Sequence, residues 1–493
     1  MSKKFDAVVI GAGPGGYVCA IRLAQLGKKT AIIEKERVGG VCLNIGCVPS
    51  KALIYASNQY WKIKNEYSEI GIEVPKVTHD MGKMMEWKGE VVKKLTGGVA
   101  QLLKMNGVEL IKGTAALESP HRIKVTTKEG MEVIEGTNVV IATGSTSIDI
   151  PILPQNGKNI LSSTEALDLK TLPKKMIVVG GGFIGVEIGT VYAKLGTQVT
   201  IVEAMDRLLM AVDPELVAPV EKKLKKLGVR VLTKTKAIGL KEKDPAKAKD
   251  LHLEVELPDG KKESLDADVI LVSVGRKPNV AGLNLDKLGV KMDQRGNVLT
   301  DDTGLTSVTG LYAIGDVNGA PQLAHRASMD GLLVAATIAG DKSHRDYKSV
   351  PWAVFCDPEI AVCGLTEAEA KTKGFAVAVG KFPFAANARA LGTNETDGFV
   401  KTVVDEKTGQ ILGVHIVGPE ASNLIAEANL AIEMGATAAD IERVIHTHPT
   451  LPEAFPESVE AAFGHAIHIY RPKGKGSAAA GVREGAARTT TNA

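Results

Sequence analysis

The chain has 493 residues, is 44% hydrophobic and 24% charged, and carries a net charge of +3 with five cysteines. That length supports three or four domains with several cores, and a nearly balanced charge with no basic stripe excludes nucleic-acid binding as its main task. No apolar stretch reaches the roughly 18 residues that a membrane span needs. The start, Met1 to Phe5, leads straight into a strand and not a signal peptide, and five cysteines are too few for an exported disulfide framework. A cytoplasmic protein is expected, in which a disulfide is catalytic sooner than structural.

Residues 5–10 read as an apolar strand. A turn spaced by Gly11, Gly13 and Gly16 follows, then a helix to Leu26 that stops at Gly27, then a second strand ending at Glu34. Cys42 and Cys47 come next. In a regular α-helix, Cα atoms five positions apart lie about 8.6 Å from one another, given a rise of about 1.5 Å and a radius of about 2.3 Å. A disulfide tolerates at most about 6.8 Å. If the two bond, the helix must break between them, and Gly46 is where the chain bends. Pro49 then suits the first turn of a straight helix and leaves Cys47 at its positive end, where a thiolate is favoured. Two buried free thiols, or half of a metal site, are the competing readings of the motif.

A helical stretch over about 54–110 carries Trp61 and Trp87, and a strand over 138–142 runs into Thr143, Gly144 and Ser145. The opening pattern then recurs: a strand from Met176, a turn with Gly180, Gly182 and Gly185, a helix to Leu195, Gly196, and a strand ending at Glu203. In both copies the acid follows the first glycine by 23 positions (34 − 11 and 203 − 180). One glycine turn is a weak signal. Two, each in a strand–helix–strand unit with an acid at that distance, mark two dinucleotide-binding units. The first glycine makes the tight turn, the second lets a pyrophosphate approach, and the third lets helix pack on strand. The pyrophosphate meets the N–H groups at the helix start, and the acid accepts ribose hydroxyls. Residues 269–274 close the second unit and lead to Gly275, and another apolar strand leads to Ile314, Gly315 and Asp316. From about 347, strands (399–404 and 411–417) and a helix over 423–434 suggest an α+β domain. From Gly474 the chain is rich in Gly, Ala and Thr and reads as a disordered tail.

These residues resemble the FAD-dependent pyridine nucleotide–disulfide oxidoreductases over roughly 5–470. The likeness is carried by the two glycine units, by the run from Gly39 to Lys51 around Cys42 and Cys47, and by the run from His446 to Glu453. Val41, where many relatives carry Thr, is a small departure. The resemblance implies an α/β fold with two Rossmann-like dinucleotide-binding domains, for FAD (1–148) and NAD (149–278). A central domain (279–346) completes the FAD site, a C-terminal α+β dimerisation domain spans 347–471, and 472–493 form the tail.

Residue by residue, the resemblance places the ADP half of FAD on Gly11, Gly13, Gly16 and Glu34, and Lys51 beside the reactive flavin nitrogen. Gly113, Thr143, Gly144 and Ser145 line the cofactor, and Asp316 holds its ribityl chain and phosphates. The backbone of Gln322, Leu323, Ala324 and His325 lies along the isoalloxazine. NAD falls to Gly180, Gly182, Gly185 and Glu203, with Glu187 and Gly275 near the nicotinamide and Ala237 a further adenine-side candidate. No metal is implied. An NADPH-dependent relative would carry arginines just after the second strand, where this chain has Glu203 and Asp206, so NAD is expected.

Among the histidines, His79, His121 and His344 read as surface residues and His446 as structural. His448 differs, because Pro449 fixes the turn and Glu453, five residues on, is a carboxylate able to hold the imidazole as a general base. Cys19, Cys356 and Cys363 read as core or surface thiols. The resemblance implies that His448 deprotonates a dihydrolipoyl thiol, that the thiolate attacks a Cys42–Cys47 disulfide at Cys42, and that Cys47 faces the flavin as a thiolate while NAD is finally reduced. It also implies a homodimer in which His448 serves the other subunit's cysteines. The implied partner is the lipoyl-bearing component of a 2-oxo acid dehydrogenase or glycine-cleavage complex. Relatives with a C-terminal redox pair are disfavoured, since no cysteine follows Cys363. A non-catalytic docking flavoprotein is the remaining alternative, against which Cys42, Cys47, His448 and Glu453 argue.

Overall fold

The computed structural model describes residues 2–319 and 321–470, so the tail expected over 472–493 lies outside the described residues. The chain divides into two units. Of the described residues, the first holds 2–68, 73–206 and 231–346, and the second holds 69–72, 207–230 and 347–470.

The first unit contains both glycine repeats. Strand Lys3–Ile10, helix Pro14–Gln25 and strand Thr30–Glu34 make the first. Pro14 stands at the helix start, where its missing N–H costs nothing, and Gly27, at φ +77°, turns the chain out of the helix. Lys3–Ile10 runs parallel to Thr30–Glu34 on one side and to Met131–Ile141 on the other. Its two faces feed two cores. Ala7 and Val9 pack with Cys19, Ala20 and Leu23 of the helix, and Val8 and Ile10 pack on the opposite side with Ile33 and Ile141. A parallel strand covered on both faces explains the uninterrupted apolar run.

The second repeat has strand Lys175–Val179, helix Phe183–Leu195 and strand Gln198–Val202, one residue shorter than the pattern suggests. Gly196 ends the helix at φ +108°. Val269–Val272 and Ile160–Leu161 extend this parallel sheet. An antiparallel sheet of Lys236–Leu240, Leu251–Glu256 and Lys262–Ala267 belongs to the same core, with Leu251, Leu253 and Val255 alternately buried.

The expected strand over 138–142 is the end of a longer one, Met131–Ile141. Its first half pairs antiparallel with Arg122–Thr126 and its last residues pair parallel with Leu311–Ala313. The first half alternates in burial and carries Glu132, Glu135 and Gly136, which masks it in a search for apolar runs. Helices Cys47–Asn65 and Met81–Met105 fill the helical stretch. His79 is a correction to the surface reading. It is half-buried, its Nε2 lies 2.9 Å from the carbonyl of Leu195, and its ring lies 4.7 Å from that of Tyr60.

The second unit is an antiparallel sheet in the order Trp352–Val354, Glu359–Gly364, Ile411–Gly418, Phe399–Asp405, Val377–Pro383. Helices Ala421–Met434 and Ala454–Ala462 share its core. Lys401 is buried in it, with its ammonium 2.7 Å from Asp213, 3.1 Å from Glu215 and 3.4 Å from Glu367. Paired carboxylates make that burial tolerable. Among the described residues, no helix is long and apolar enough to cross a membrane.

Candidate functional site

The two nucleotide cradles are built alike. A Cβ on Gly11 would overlap the carbonyl of Ala142, and one on Gly180 that of Ser273; a Cβ on Gly16 or Gly185 would overlap the carbonyl of the first glycine of its own turn. These positions are closed to any side chain. The second glycines differ: a Cβ on Gly182 meets nothing within 4 Å, and one on Gly13 meets only the Cα of Gly40 at 4.0 Å. Open space in front of a helix start is the room a pyrophosphate needs.

The acids repeat as well. Oε2 of Glu34 accepts the N–H of Ala12 at 2.8 Å and Oε1 that of Glu36 at 2.8 Å. Oε2 of Glu203 accepts the N–H of Gly181 at 2.5 Å and Oε1 that of Met205 at 2.7 Å. All three positions are offset by 169 (181 − 12, 203 − 34 and 205 − 36). Gly113 donates its N–H to the carbonyl of Glu34, and Thr235, two residues before Ala237, donates to that of Glu203.

Thr143, Gly144 and Ser145 follow the strand that ends at Ile141. The Thr143 hydroxyl is buried without a partner among the described residues, an orphan that a polar cofactor atom would satisfy. Gly144, at φ +68°, has open space where a Cβ would stand. The Ser145 hydroxyl donates to Oδ2 of Asp316 at 2.5 Å. Asp316 sits in the single turn Gly315–Asn318. Leu323 is the extended residue just before helix Ala324–Ala339, so Gln322, Leu323, Ala324 and His325 present that helix start. Sequence reasoning missed the anchor behind this loop. Buried Asp330 receives Arg326 at 3.2 Å, Arg345 at 3.1 Å and the N–H of Gly315 at 3.4 Å. Such residues fit a bound FAD and a bound NAD.

The cysteines lie on either side of a helix break. Helix Gly40–Ile45 carries Cys42, Gly46 departs from helical geometry (φ −139°, ψ −107°), and Cys47 opens helix Cys47–Asn65. They are thiols here, in hydrogen-bond contact. That contact and burial push the Cys42 thiol well above its ordinary value. The same hydrogen bond, helped by the Lys51 ammonium, holds Cys47 below its own despite burial. The pair is divided by this contact: Cys47, at the helix N-terminus, is the readier to lose a proton and Cys42 the readier to keep one. Lys51 also reaches Glu187, 2.9 Å away and buried on the helix of the second repeat, so two candidates 136 positions apart meet. Cys19, Cys356 and Cys363 are buried, and burial pushes Cys19 and Cys363 up to about 12, which leaves them inert.

In the second unit, Nδ1 of His448 lies 2.8 Å from Oε1 of Glu453, and Oε2 of Glu453 accepts the N–H of Thr450 at 2.7 Å. Burial opposes the charge on Glu453, yet the Thr450 N–H and the His448 ring hold its carboxyl below the usual range. The imidazole therefore donates through Nδ1, and Nε2 is left as its basic nitrogen. The His448 side chain is 71% exposed. His446 is held through Nε2 by Glu427 at 2.7 Å.

The family described as pyridine nucleotide-disulphide oxidoreductase matches residues 5–331, well over half of the chain. The chain belongs to that family. The family's dimerisation domain matches residues 350–459. The dihydrolipoyl dehydrogenase of Geobacillus stearothermophilus is 47% identical over 464 residues, covering 94% of this chain and 97% of that protein. That of Bacillus subtilis is 45% identical over 467 residues, covering 94% and 98%. Among solved structures, LpdA of Mycobacterium tuberculosis superposes with a TM-score of 0.85 at 26% identity, over 93% of this chain and 99% of its own. The HOCl-induced flavoprotein disulfide reductase RclA of Escherichia coli has a TM-score of 0.81 at 28% identity, over 92% and 99%.

Proposed function

We propose that this chain catalyses the dihydrolipoyl dehydrogenase reaction, oxidising a protein-bound dihydrolipoyl group to its cyclic disulfide and reducing NAD⁺. The observation that carries this reading is the Cys42–Cys47 pair with its divided thiol acidities, beside the Lys51–Glu187 ion pair and in the same unit as both nucleotide cradles.

In the resting enzyme Cys42 and Cys47 are joined as a disulfide. His448, oriented by Glu453, takes a proton from one substrate thiol at Nε2, and the thiolate attacks Cys42. The second substrate thiolate then displaces Cys42. The Cys42–Cys47 bond breaks in the first step, which forms a substrate–Cys42 mixed disulfide and releases Cys47 as a thiolate. The lipoyl S–S bond forms in the second as the mixed disulfide breaks and releases Cys42, so two electrons stay on the cysteine pair. Cys47, at the helix N-terminus and near Lys51, holds its share as a thiolate. Bound FAD supplies the two-electron relay from this pair to nicotinamide. Gly182 gives the nucleotide's pyrophosphate its room, and Glu203 accepts the ribose hydroxyls and repels a 2′-phosphate, which selects NAD.

The protein works as a homodimer in the cytoplasm, with His448 of the partner subunit serving each cysteine pair. Its partner is the lipoyl-bearing component of a 2-oxo acid dehydrogenase or glycine-cleavage complex. Stopped-flow reduction of the holoenzyme by dihydrolipoamide, set against reduced glutathione, tests the assignment. Rapid reduction by dihydrolipoamide alone supports it. Reduction by glutathione at a comparable rate contradicts it.

A further inference from the structure

Arg276 stands directly after Gly275, where the last strand of the second repeat leaves its sheet. It opens the short strand Arg276–Pro278, which pairs antiparallel with Ser145–Ser147 at the exit of the first repeat. This ribbon sets Arg276 opposite Ser147, so its side chain reaches diagonally to Ser145. Its Nε donates to the Ser145 hydroxyl oxygen at 2.8 Å and its Nη2 to the Ser145 carbonyl at 2.7 Å. The single hydroxyl hydrogen of Ser145 is then committed to Asp316, 2.5 Å away. The three side chains form one directed chain of hydrogen bonds, in which each polarises the next.

The guanidinium is largely buried, and burial works against its charge. The two anions that support that charge are Asp316 and Cys47. Both hydrogen bonds from Arg276 go to uncharged atoms of Ser145.

We propose that Arg276 is a positioning residue for the flavin site: through its fork on Ser145 it fixes the carboxylate of Asp316. Lysine cannot replace it fully, since only the planar fork reaches both oxygens of Ser145. The inference rests on the reading of Asp316 as a residue that holds FAD, and it adds a residue that joins the exit strands of both nucleotide units.

The test follows FAD release from the FAD-loaded protein. Arg276→Gln and Ser145→Ala should each speed FAD loss severalfold, and the double variant should lose FAD more slowly than the two effects multiplied would give, because the guanidinium acts on Asp316 through the Ser145 hydroxyl. Arg276→Lys should recover only part of the retention. FAD retention unchanged in Arg276→Gln, or single effects that multiply fully in the double variant, overturns the proposal. If Arg276→Gln does not load FAD, Arg276→Lys decides: retention equal to that of the unmodified protein overturns it. FAD retention unchanged by Asp316→Ala contradicts the reading of Asp316 itself, and the inference falls with it.

Discussion

The carboxylate of Glu453 joins Nδ1 of His448, at 2.8 Å, to the backbone N–H of Thr450, at 2.7 Å. One oxygen is anchored on the main chain and the other aims the imidazole, so the ring's orientation is set by a rigid turn and not by the ring itself. The same contacts fix which nitrogen carries the proton in the neutral ring.

Replacing Glu453 by Gln should therefore slow the thiol half-reaction by about 10²-fold, within the range typical of a positioned acid–base group. Hydride exchange between NADH and an artificial acceptor should change little. Glu453→Asp should recover part of the loss. Stopped-flow traces of the two half-reactions separate these effects, and equal slowing of both would contradict a role confined to His448.

The glycine turns predict two different failures. Gly185→Ala places a Cβ against the carbonyl of Gly180 and 2.7 Å from the Ser273 hydroxyl. Overpacking of this kind costs about 1–3 kcal/mol, read as a lower melting temperature. Gly182→Ala meets nothing within 4 Å and should leave the melting temperature unchanged. It should nonetheless weaken NAD binding about tenfold or more, about 1.4 kcal/mol, because the added methyl occupies the pyrophosphate's room. Calorimetric titration with NAD⁺ and thermal melts of both variants distinguish the cases.

Glu203 should decide cofactor choice. The unmodified protein should prefer NAD⁺ to NADP⁺, and Glu203→Arg should narrow or reverse that preference, at some cost to the loop held by the Gly181 and Met205 N–H groups. Ratios of kcat/KM for the two cofactors give the answer; equal values in the unmodified protein would count against it.

Much of this site was legible because its requirements are local. A tight turn, a helix start and a break at Gly46 each need particular residues at particular spacings, so Gly11, Gly13, Gly16, their counterparts and the acids at 23 positions could be read directly. A bond between Cys42 and Cys47 would require a bend between them, and the helix does break at Gly46. What could not be read is pairing between distant side chains. Lys51 meets Glu187 across 136 positions and Arg276 meets Ser145 across 131, and neither pair leaves a periodic mark in the chain. The Asp330–Arg345 pair was invisible for the same reason, whereas Arg326, four positions before Asp330 on one helix, stood at a spacing that could have been read. The first half of Met131–Ile141 escaped because alternating, part-charged strands resemble loops.

The divided thiols predict a pH dependence for the reduced protein. Cys47 is depressed in the folded state, so its thiolate contributes stability that is fully present above the unfolded thiol value, about 8.5, and lost as pH falls through the folded value. Cys42 is raised, so above about 8.5 the unfolded chain releases a proton that the folded one keeps, and stability falls. Relative to a Cys42→Ser, Cys47→Ser protein, the phosphine-reduced enzyme should gain melting temperature with pH up to about 8.5 and lose it beyond. A flat difference would contradict the division between the two thiols.

In the proposed dimer, Cys42 and Cys47 of one subunit and His448 of the other make one site for thiol oxidation. Mixing inactive Cys42→Ser chains with inactive His448→Ala chains, by mild unfolding and refolding in equal amounts, tests it directly. Half of the dimers should be mixed, and in each of these one site carries both substitutions while the other is intact. Dihydrolipoamide oxidation should then return to about a quarter of the unmodified activity. If heterodimers form, as shown by mass spectrometry, and no activity returns, the cross-subunit site is contradicted.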